Sequence, residues 1–566
     1  MSRHEHHEHT SQVTEQKQHK SLPQHGPTSP NEKLKQHRRE RGRQWDEHGG
    51  PTYGGGDPRH FDLAGAALAE MRAAGFEPEF SDAAREQVRE IEARFAQESS
   101  AAGFEDMRAL GWSAIDNDTS RDLDQIEVAE RVGDDIRLHV AIGDVAAAVE
   151  KDSPIDEHAR QQTQTIYTAV KNFPMLPLEL STGLTSLNEN ADRLAVVISF
   201  TVRPDGSLAD ETVTRARVRN RAQLAYSRVG PWLERVAAGA KDDDVLSLRS
   251  DSAREHDEEQ LDSGSLPANW LVEQLKMQDE ATQRLHAARV AKGALEFHKA
   301  EADPVVVDGK VIDVQEATQN RAMLLIEDLM VAANGVMART LRKGKRSGLQ
   351  RVVVIPQRWE RIASLAKDKG YDLPVTPDSY ALNGVLEQIR AKDPDHYPDV
   401  ALAVIKLMGP GEYILMKPED DPTGHFGLAA RDYTHSTAPN RRFPDVVTQR
   451  ALHALQDKQP APYGDEDLTA IAMHCNEADK ALRKIERDMQ KRVAAVAMAK
   501  HVGETFRAVI TGASEKGVYA RVIAPPFEGR IIQGGDALDV GDKVNVKLIH
   551  TNPARAFIDF AYVGKR

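Results

Sequence analysis

The chain has almost no cysteine: one thiol, Cys475, in 566 residues. A single cysteine excludes an internal disulfide and fits a reducing compartment, so a cytoplasmic protein is expected. There is no apolar run of membrane-spanning length. The first residues, Met1-Ser-Arg-His-Glu-His-His7, are charged where a secretory signal would be apolar, so no membrane association is expected. Positive charge is not in excess either, with 74 Lys and Arg against 88 Asp and Glu, a net charge of −14 and an isoelectric point near 5.9. That balance excludes a protein that coats polyanions over its whole surface, and any nucleic-acid contact has to be local. Basic residues do gather, in Arg215-Ala-Arg-Val-Arg-Asn-Arg221, in Arg339-Thr-Leu-Arg-Lys-Gly-Lys-Arg346 and at Arg441-Arg442.

Hydrophobic periodicity divides the chain. Residues 1–58 are rich in His, Gln, Gly, Pro and charge, and they lack any apolar period, so a disordered tail is expected. Its His4, His6, His7 and His9 suit a polar tail better than a purposeful metal site, and Arg38 to Arg43 would touch nucleic acid only weakly. Residues 59–104 predict a small helical region. One helix carries Leu63, Leu68 and Met71, and a second follows Ser81 as N-cap with Val88, Ile91 and Phe95 on one face. This stretch is too short for a five-stranded barrel, which needs about 60 residues. The stretch 241–263 reads as a solvated acidic insertion. Residues 105–500 mix strand and helix patterns, ending in a long helix over 466–500 with Leu482, Ile485, Met489, Val493 and Met498. Residues 501–566 change to short alternating strands separated by glycine turns, the pattern of a small β-barrel. The length permits several domains, and the whole reads as an α+β multidomain protein, expected to be a monomer.

What stands out is Ala114-Ile-Asp-Asn-Asp-Thr-Ser-Arg-Asp-Leu-Asp-Gln125, which packs Asp116, Asp118, Asp122 and Asp124 into a short stretch. Carboxylates this close repel one another, and a divalent cation is the simplest way to keep them ionised. Hard oxygen ligands point to Mg²⁺ or Mn²⁺. On the cluster alone, a solvated acidic turn or a loop calcium site remains open. Residues 123–130 alternate as a strand would, and Ile136 to Ala141 read as its hairpin partner. On a strand entry, Asp122 and Asp124 would share a face, with Asp116 arriving from the loop before them.

The run Asp116-x5-Asp122-x-Asp124, followed by Leu138-His-Val-Ala-Ile-Gly-Asp-Val145, resembles the catalytic signature of the ribonuclease II/R (RNB) family of exoribonucleases. Further similar segments follow in the family's order: Ile166 to Ser181, Thr185-Ser-Leu-Asn188, Gly293-Ala-Leu-Glu-Phe297, Leu325 to Asn334, and Tyr433-Thr-His-Ser-Thr-Ala-Pro-Asn-Arg-Arg-Phe-Pro-Asp445. Thr505 to Arg521, Phe527 to Arg530 and Val540 to Leu548 resemble the ribosomal S1 type of OB fold. The resemblance implies an RNB catalytic domain over 105–500 and an S1-type RNA-binding domain over 501–566, with the helical region in place of the family's N-terminal cold-shock barrels.

The implied activity is processive, hydrolytic, 3′-to-5′ degradation of single-stranded RNA to nucleoside 5′-monophosphates, in RNA turnover or processing. It implies Mg²⁺, with Mn²⁺ as a substitute, held by Asp116, Asp122, Asp124 and Gln125. Asp122, Asp124 and Arg441 would be catalytic, Arg441 lying on the phosphate that is cleaved. Tyr167 and Phe297 would clamp bases, Glu327 would contact the terminal nucleotide, and Arg442 would bind RNA. In the S1-type domain Phe506 and Tyr519 would stack bases while Lys516, Arg521, Arg507 and Arg530 meet phosphates. One position departs from the family's pattern: Gln125 stands where an aspartate is usual, and a neutral amide oxygen is the poorer ligand. Asp118 and Glu127 are candidates to compensate. The competing expectation is a catalytically weakened RNA-binding or regulatory protein, with Gln125 as its support.

Overall fold

The computed structural model describes residues 57–97, 103–240, 244–254, 264–297, 301–307, 310–317, 319–353, 356, 358–394, 397–514, 517–535, 538 and 541–565. Nearly all of the tail, most of the acidic stretch 241–263, and Lys516 lie outside the described residues. Residues 51–72 and 76–566 belong to one compact unit.

Two helices come first, Leu63–Ala73 and Asp82–Phe95. The second starts where its cap predicts: Ser81 Oγ accepts from the Ala84 amide at 3.2 Å, which satisfies one of the orphan donors of a helix start. Its Ala84, Val88 and Ile91 enter one apolar cluster with Val446, Leu468 and Ile471, so this region is packed onto the main body.

The main sheet is built from β1 (Glu105–Asp106), β2 (Trp112–Asp116), β3 (Gln125–Val132), β4 (Asp135–Gly143), β7 (Asp192–Val202) and β8 (Leu208–Ala225), while β5 (Ile166–Tyr167) and β6 (Asn172–Phe173) form a separate short hairpin. The sheet order is β1-β8-β2-β3-β4-β7, and β8 also pairs with β7, so the strands from β2 through β8 close on themselves. β3 and β4 pair antiparallel from Gln125 against Ile142 to Val132 against Asp135. The turn between them needs a left-handed residue and has Gly133 at φ 62°.

Closure buries both faces of the strands. Trp112, Ala114, Leu123, Ile126, Val128, Ala141 and Val197 fill one side. On the other, Ile115, Ala129, Leu138 and Val140 pack against the helices Tyr226–Ala237, Trp270–Val290 and Arg321–Lys343. Each large side chain so buried contributes about 1.5–3 kcal/mol, which fixes the register of β2 and β3 and with it the acidic loop between them.

Two further hairpin-like pairs follow, β9 (Glu301–Val307) with β10 (Lys310–Ala317) and β11 (Gly348–Val352) with β12 (Glu412–Met416). Between the latter two, the helices Trp359–Asp368, Ser379–Lys392 and Tyr397–Met408 gather around a core of their own. The helix Asp465–Met498 is 34 residues long, about 51 Å at 1.5 Å per residue. It runs from the cluster holding Cys475 to the terminal barrel, where Ala495 and Met498 join the core.

That barrel is closed in the order β13 (Thr505–Ser514), β14 (Gly517–Val522), β15 (Glu528–Gln533), β17 (Phe557–Lys565) and β16 (Lys543–Asn552). Arg492 of the long helix donates to Pro553 and Ala554 carbonyls of the barrel and pairs with Glu70 at 2.8 Å, so one buried guanidinium joins three parts of the chain. Among the described residues no helix is long and apolar enough to cross a membrane.

Candidate active site

The acidic run leads into β3 without being part of it. β3 begins at Gln125, and Asp122 and Asp124 lie in the loop after β2, which ends at Asp116. This loop is held by residues distant in sequence. The Leu123 amide donates to Ser186 Oγ at 2.9 Å, and Ser186 Oγ donates to the Arg121 carbonyl at 2.7 Å. The Gly143 amide donates to the Asp124 carbonyl at 3.0 Å. Those bonds give the Thr185-Ser-Leu-Asn188 segment a physical role, which is to cradle the loop.

Asp124 is the pivot. Its side chain is fully buried, and it accepts from the Asn440 amide and from Arg441 Nε, both at 3.1 Å. Asn440 is fixed in turn by Thr185, whose Oγ1 donates to Asn440 Oδ1 at 2.6 Å. Burial pushes the Asp124 carboxyl up to about 7, with Arg441 opposing the rise and Asp122 adding to it. Asp116 is also raised, first by burial and further by Asp122, although it accepts from the Asn117 amide at 2.7 Å and Ser120 Oγ at 2.9 Å. Asp122 accepts from Tyr167 Oη at 2.5 Å. The Thr165 amide donates to the Arg441 carbonyl at 3.0 Å, so the backbone itself places the Tyr167 hairpin beside the arginine segment. Asp116, Asp122, Asp124, Arg441 and Tyr167 are thus brought together.

The remaining expectations separate. Arg442 gives its fork to Asp445 at 3.0 and 2.7 Å, which makes it a brace for the loop rather than the RNA contact expected. Glu327 lies against Arg289 and Gln319 and is partly exposed. Phe297 packs on the helices around Leu382 and Leu386, and no described contact sets it against Tyr167. Its neighbour Glu296 is bound by His286, which also holds Asp328 beside Glu327. Phe506 is half-buried and packs against the core of the terminal barrel, its ring 5.7 Å from Phe527. Tyr519 is 37% exposed and keeps a stacking face, and Arg521 beside it is half-buried. Asp118 accepts from Ser227 Oγ at 2.6 Å and pairs with Arg228 at 3.2 Å, away from the other carboxylates.

Sequence reasoning missed the holding residues Ser186, Asn440 and His286. Ser186 and Asn440 lie within segments singled out above without a role of their own, and His286 lies outside all of them. A cleft of about 970 Å³, lined by His60, Phe61, His550 and Asn552, contains none of these site residues.

The donor set suits a hard divalent cation: oxygens only, with two carboxyls raised by burial and further by Asp122 against the pull of Arg441. Among the described residues no three His, Cys, Asp or Glu side chains converge as a ready-made cage. Mg²⁺ fits that pattern, because it keeps several waters and is held by one or two carboxylates together with substrate phosphates.

Comparison with known proteins agrees with this geometry. The RNB domain family matches residues 104–458, and the RNase II-type exonuclease C-terminal S1 domain matches 504–563. Ribonuclease R of Escherichia coli (strain K12) is 27% identical over 507 residues, covering 82% of this chain and 58% of the relative, so the chain spans under two thirds of that protein's length. Among solved structures, Mycoplasma genitalium RNase R in complex with ribose methylated single-stranded RNA has a TM-score of 0.75 at 21% identity, over 89% of this chain and 78% of the other. Yeast Ssd1, described as a pseudonuclease, has a TM-score of 0.57 at 16% identity, over 81% of this chain and 53% of its own. At those identities the structures speak for the fold alone.

Proposed function

This chain belongs to the RNB family and carries a C-terminal S1 domain of the RNase II type, and from that premise we propose that it is a metal-dependent exoribonuclease. It removes nucleotides hydrolytically from the 3′ end of single-stranded RNA and releases nucleoside 5′-monophosphates. The observation that carries the reading is the joining of Asp124 to Asn440 and Arg441, residues more than 300 positions apart, at the place where Asp116, Asp122 and Tyr167 also meet. A binding module has no need of an arginine held on a buried carboxylate at the mouth of an acidic loop.

Asp116, Asp122 and Asp124 would hold the metal. When bound, a pair of Mg²⁺ ions supplies an activated water and neutralises charge on the phosphoryl oxygens. The chain's own residues do the rest. Arg441 spends Nε on Asp124 while its side chain is 49% exposed, so the terminal nitrogens of the fork are presented to a phosphate, where charge grows as the bond breaks. Asn440, held by Thr185, keeps Asp124 from rotating away. Tyr167 is 41% exposed and anchored through its hydroxyl, which leaves a ring face for the terminal base without regard to its identity. Tyr519 offers a second stacking face on the barrel. Repeated release without dissociation, and hence processivity, would follow from these two separated grips.

The test is a 5′-labelled mixed-sequence RNA with Mg²⁺ or Mn²⁺, resolved at single-nucleotide length beside Asp124→Asn. Disappearance of full-length RNA to one short 5′ fragment, with mononucleotide released and both absent in the variant, is expected. Intact RNA bound under every condition would assign the protein to the binders, and internal cuts would make it an endonuclease.

A further inference from the structure

We propose that Glu127 is a ligand carboxylate of this site, supplying to the divalent cation at Asp116 the negative charge that Gln125 does not carry. This rests on the metal-dependent reading above. Gln125 is buried at the start of β3, and its amide brings no charge to the cluster. Glu127 follows two residues later on the same face of that strand, about 7 Å further along. Its side chain is one methylene longer than the aspartate's.

Glu127 is completely buried, and neither carboxylate oxygen has a hydrogen-bond partner. The atoms around it are in the same condition. Ser113, directly opposite on β2, has a buried and unpartnered hydroxyl. Gln278 of the Trp270–Val290 helix donates to the Glu127 carbonyl at 3.4 Å and has its own Oε1 buried and unpartnered. Four buried oxygens without partners therefore belong to neighbouring residues of two strands and a helix. An ionised carboxylate buried without a partner is unfavourable by several kcal/mol, so Glu127 either keeps its proton or meets a positive charge from outside the chain.

The position points to the cation of the site. The Asp116 charge acts on Glu127, and both act on the Tyr226 hydroxyl, which also feels Arg441. Glu127 therefore lies in the electrostatic neighbourhood of Asp116. Oxygen donors without nitrogen or sulfur suit Mg²⁺ or Mn²⁺. Asp118, the other acid able to replace the missing charge, is excluded by its bonds to Ser227 and Arg228.

The experiment is a titration of the metal-stripped full chain with Mn²⁺, following loss of the free-ion electron paramagnetic resonance signal. Wild type, Glu127→Gln, Gln125→Asp and the double variant are compared, with melting recorded in chelator and in Mn²⁺ and RNA degradation by wild type measured in parallel. Glu127→Gln is expected to weaken Mn²⁺ about tenfold or more, on the scale of disturbed metal surroundings. The double variant is expected to recover most of that loss. In chelator, Glu127→Gln should melt no lower than wild type, because it removes an unpaired buried charge.

Binding within twofold of wild type overturns the inference, as does a wild type without saturable Mn²⁺ binding. A Glu127→Gln protein that cannot fold also overturns it, since the carboxylate would then be paired within the chain. The two readings fail separately. RNA degraded by a wild type whose Mn²⁺ affinity ignores Glu127 sinks only the ligand assignment, whereas intact RNA with the expected loss of Mn²⁺ affinity sinks only the exonuclease.

Discussion

Asp124→Asn should abolish RNA degradation and yet raise stability at neutral pH. The carboxyl is fully buried, and burial lifts it from 3.8 to about 7 against the opposing pull of Arg441. A rise of that size corresponds to about 4 kcal/mol. The folded chain then holds this proton more tightly than the unfolded one. Stability from this group is fully present below about pH 4, falls as pH rises, and is lost above about pH 7. Asparagine stands in for the neutral carboxyl and can still accept from the Asn440 amide, but it sets an amide N–H against Arg441 Nε at a cost of about 1–2 kcal/mol. The net expectation without divalent cation is a gain of about 2 kcal/mol at pH 8 and none or a small loss at pH 4. Melting in chelator at the two pH values measures both. Adding Mn²⁺ should raise the midpoint of wild type and leave the variant unmoved. An Asp124→Asn protein that melts well below wild type at pH 8 would refute the reasoning, because it would mean that Arg441 and Asn440 already compensate the charge and no cation is required.

Arg492→Met leaves Glu70 buried without its partner and the Pro553 and Ala554 carbonyls without their donor, so a loss of about 3–5 kcal/mol is expected in thermal unfolding, with faster proteolysis at the helix-to-barrel junction. Phe506→Ala should destabilise the barrel by about 3 kcal/mol through loss of its packing on Phe527. Tyr519→Ala should leave melting unchanged and weaken binding of a labelled oligonucleotide by about 1–3 kcal/mol, read by fluorescence anisotropy. His286 sits between Asp328 and Glu296, which raise its ring to about 10. Its contribution is fully present below about pH 6.5 and lost as pH rises through 10, so the stability gap between wild type and His286→Gln should be a few kcal/mol at pH 6 and close by pH 10.5.

What the sequence shows and what it hides divide at non-local partners. The helix after Ser81, the β3–β4 hairpin around Gly133 and the long helix through Leu482, Ile485 and Met489 are written in short-range periodicity and caps, and they form where those signals place them. The same alternation carried Leu123 and Asp124 into the strand. They precede it: Asp124 keeps one bond to β4 through Gly143, while Ser186, Asn440 and Arg441, from 63 to 317 positions away, hold the Leu123 amide and the Asp124 carboxylate. Alternation also cannot tell which wall of a closed barrel a residue faces, and so Phe506 reads as a surface aromatic although it is half-buried against the core.

Glu127 is a candidate in the sequence to make up the charge missing at Gln125, and only the fold shows that it is buried without a partner. In an exposed hairpin a glutamate two residues after Gln125 belongs on the solvent side, as the period-two pattern assigns it. That side is covered by the helices Tyr226–Ala237 and Trp270–Val290, which arrive about 100 to 160 residues later along the chain. Covering the sheet converts an ordinary polar position into a carboxyl with no partner, within the electrostatic reach of Asp116. Of the acids on β3, Glu127 is buried by this covering while Glu130 stays exposed. In this chain, the nearest site built to take up a positive ion is the loop that ends one residue before β3.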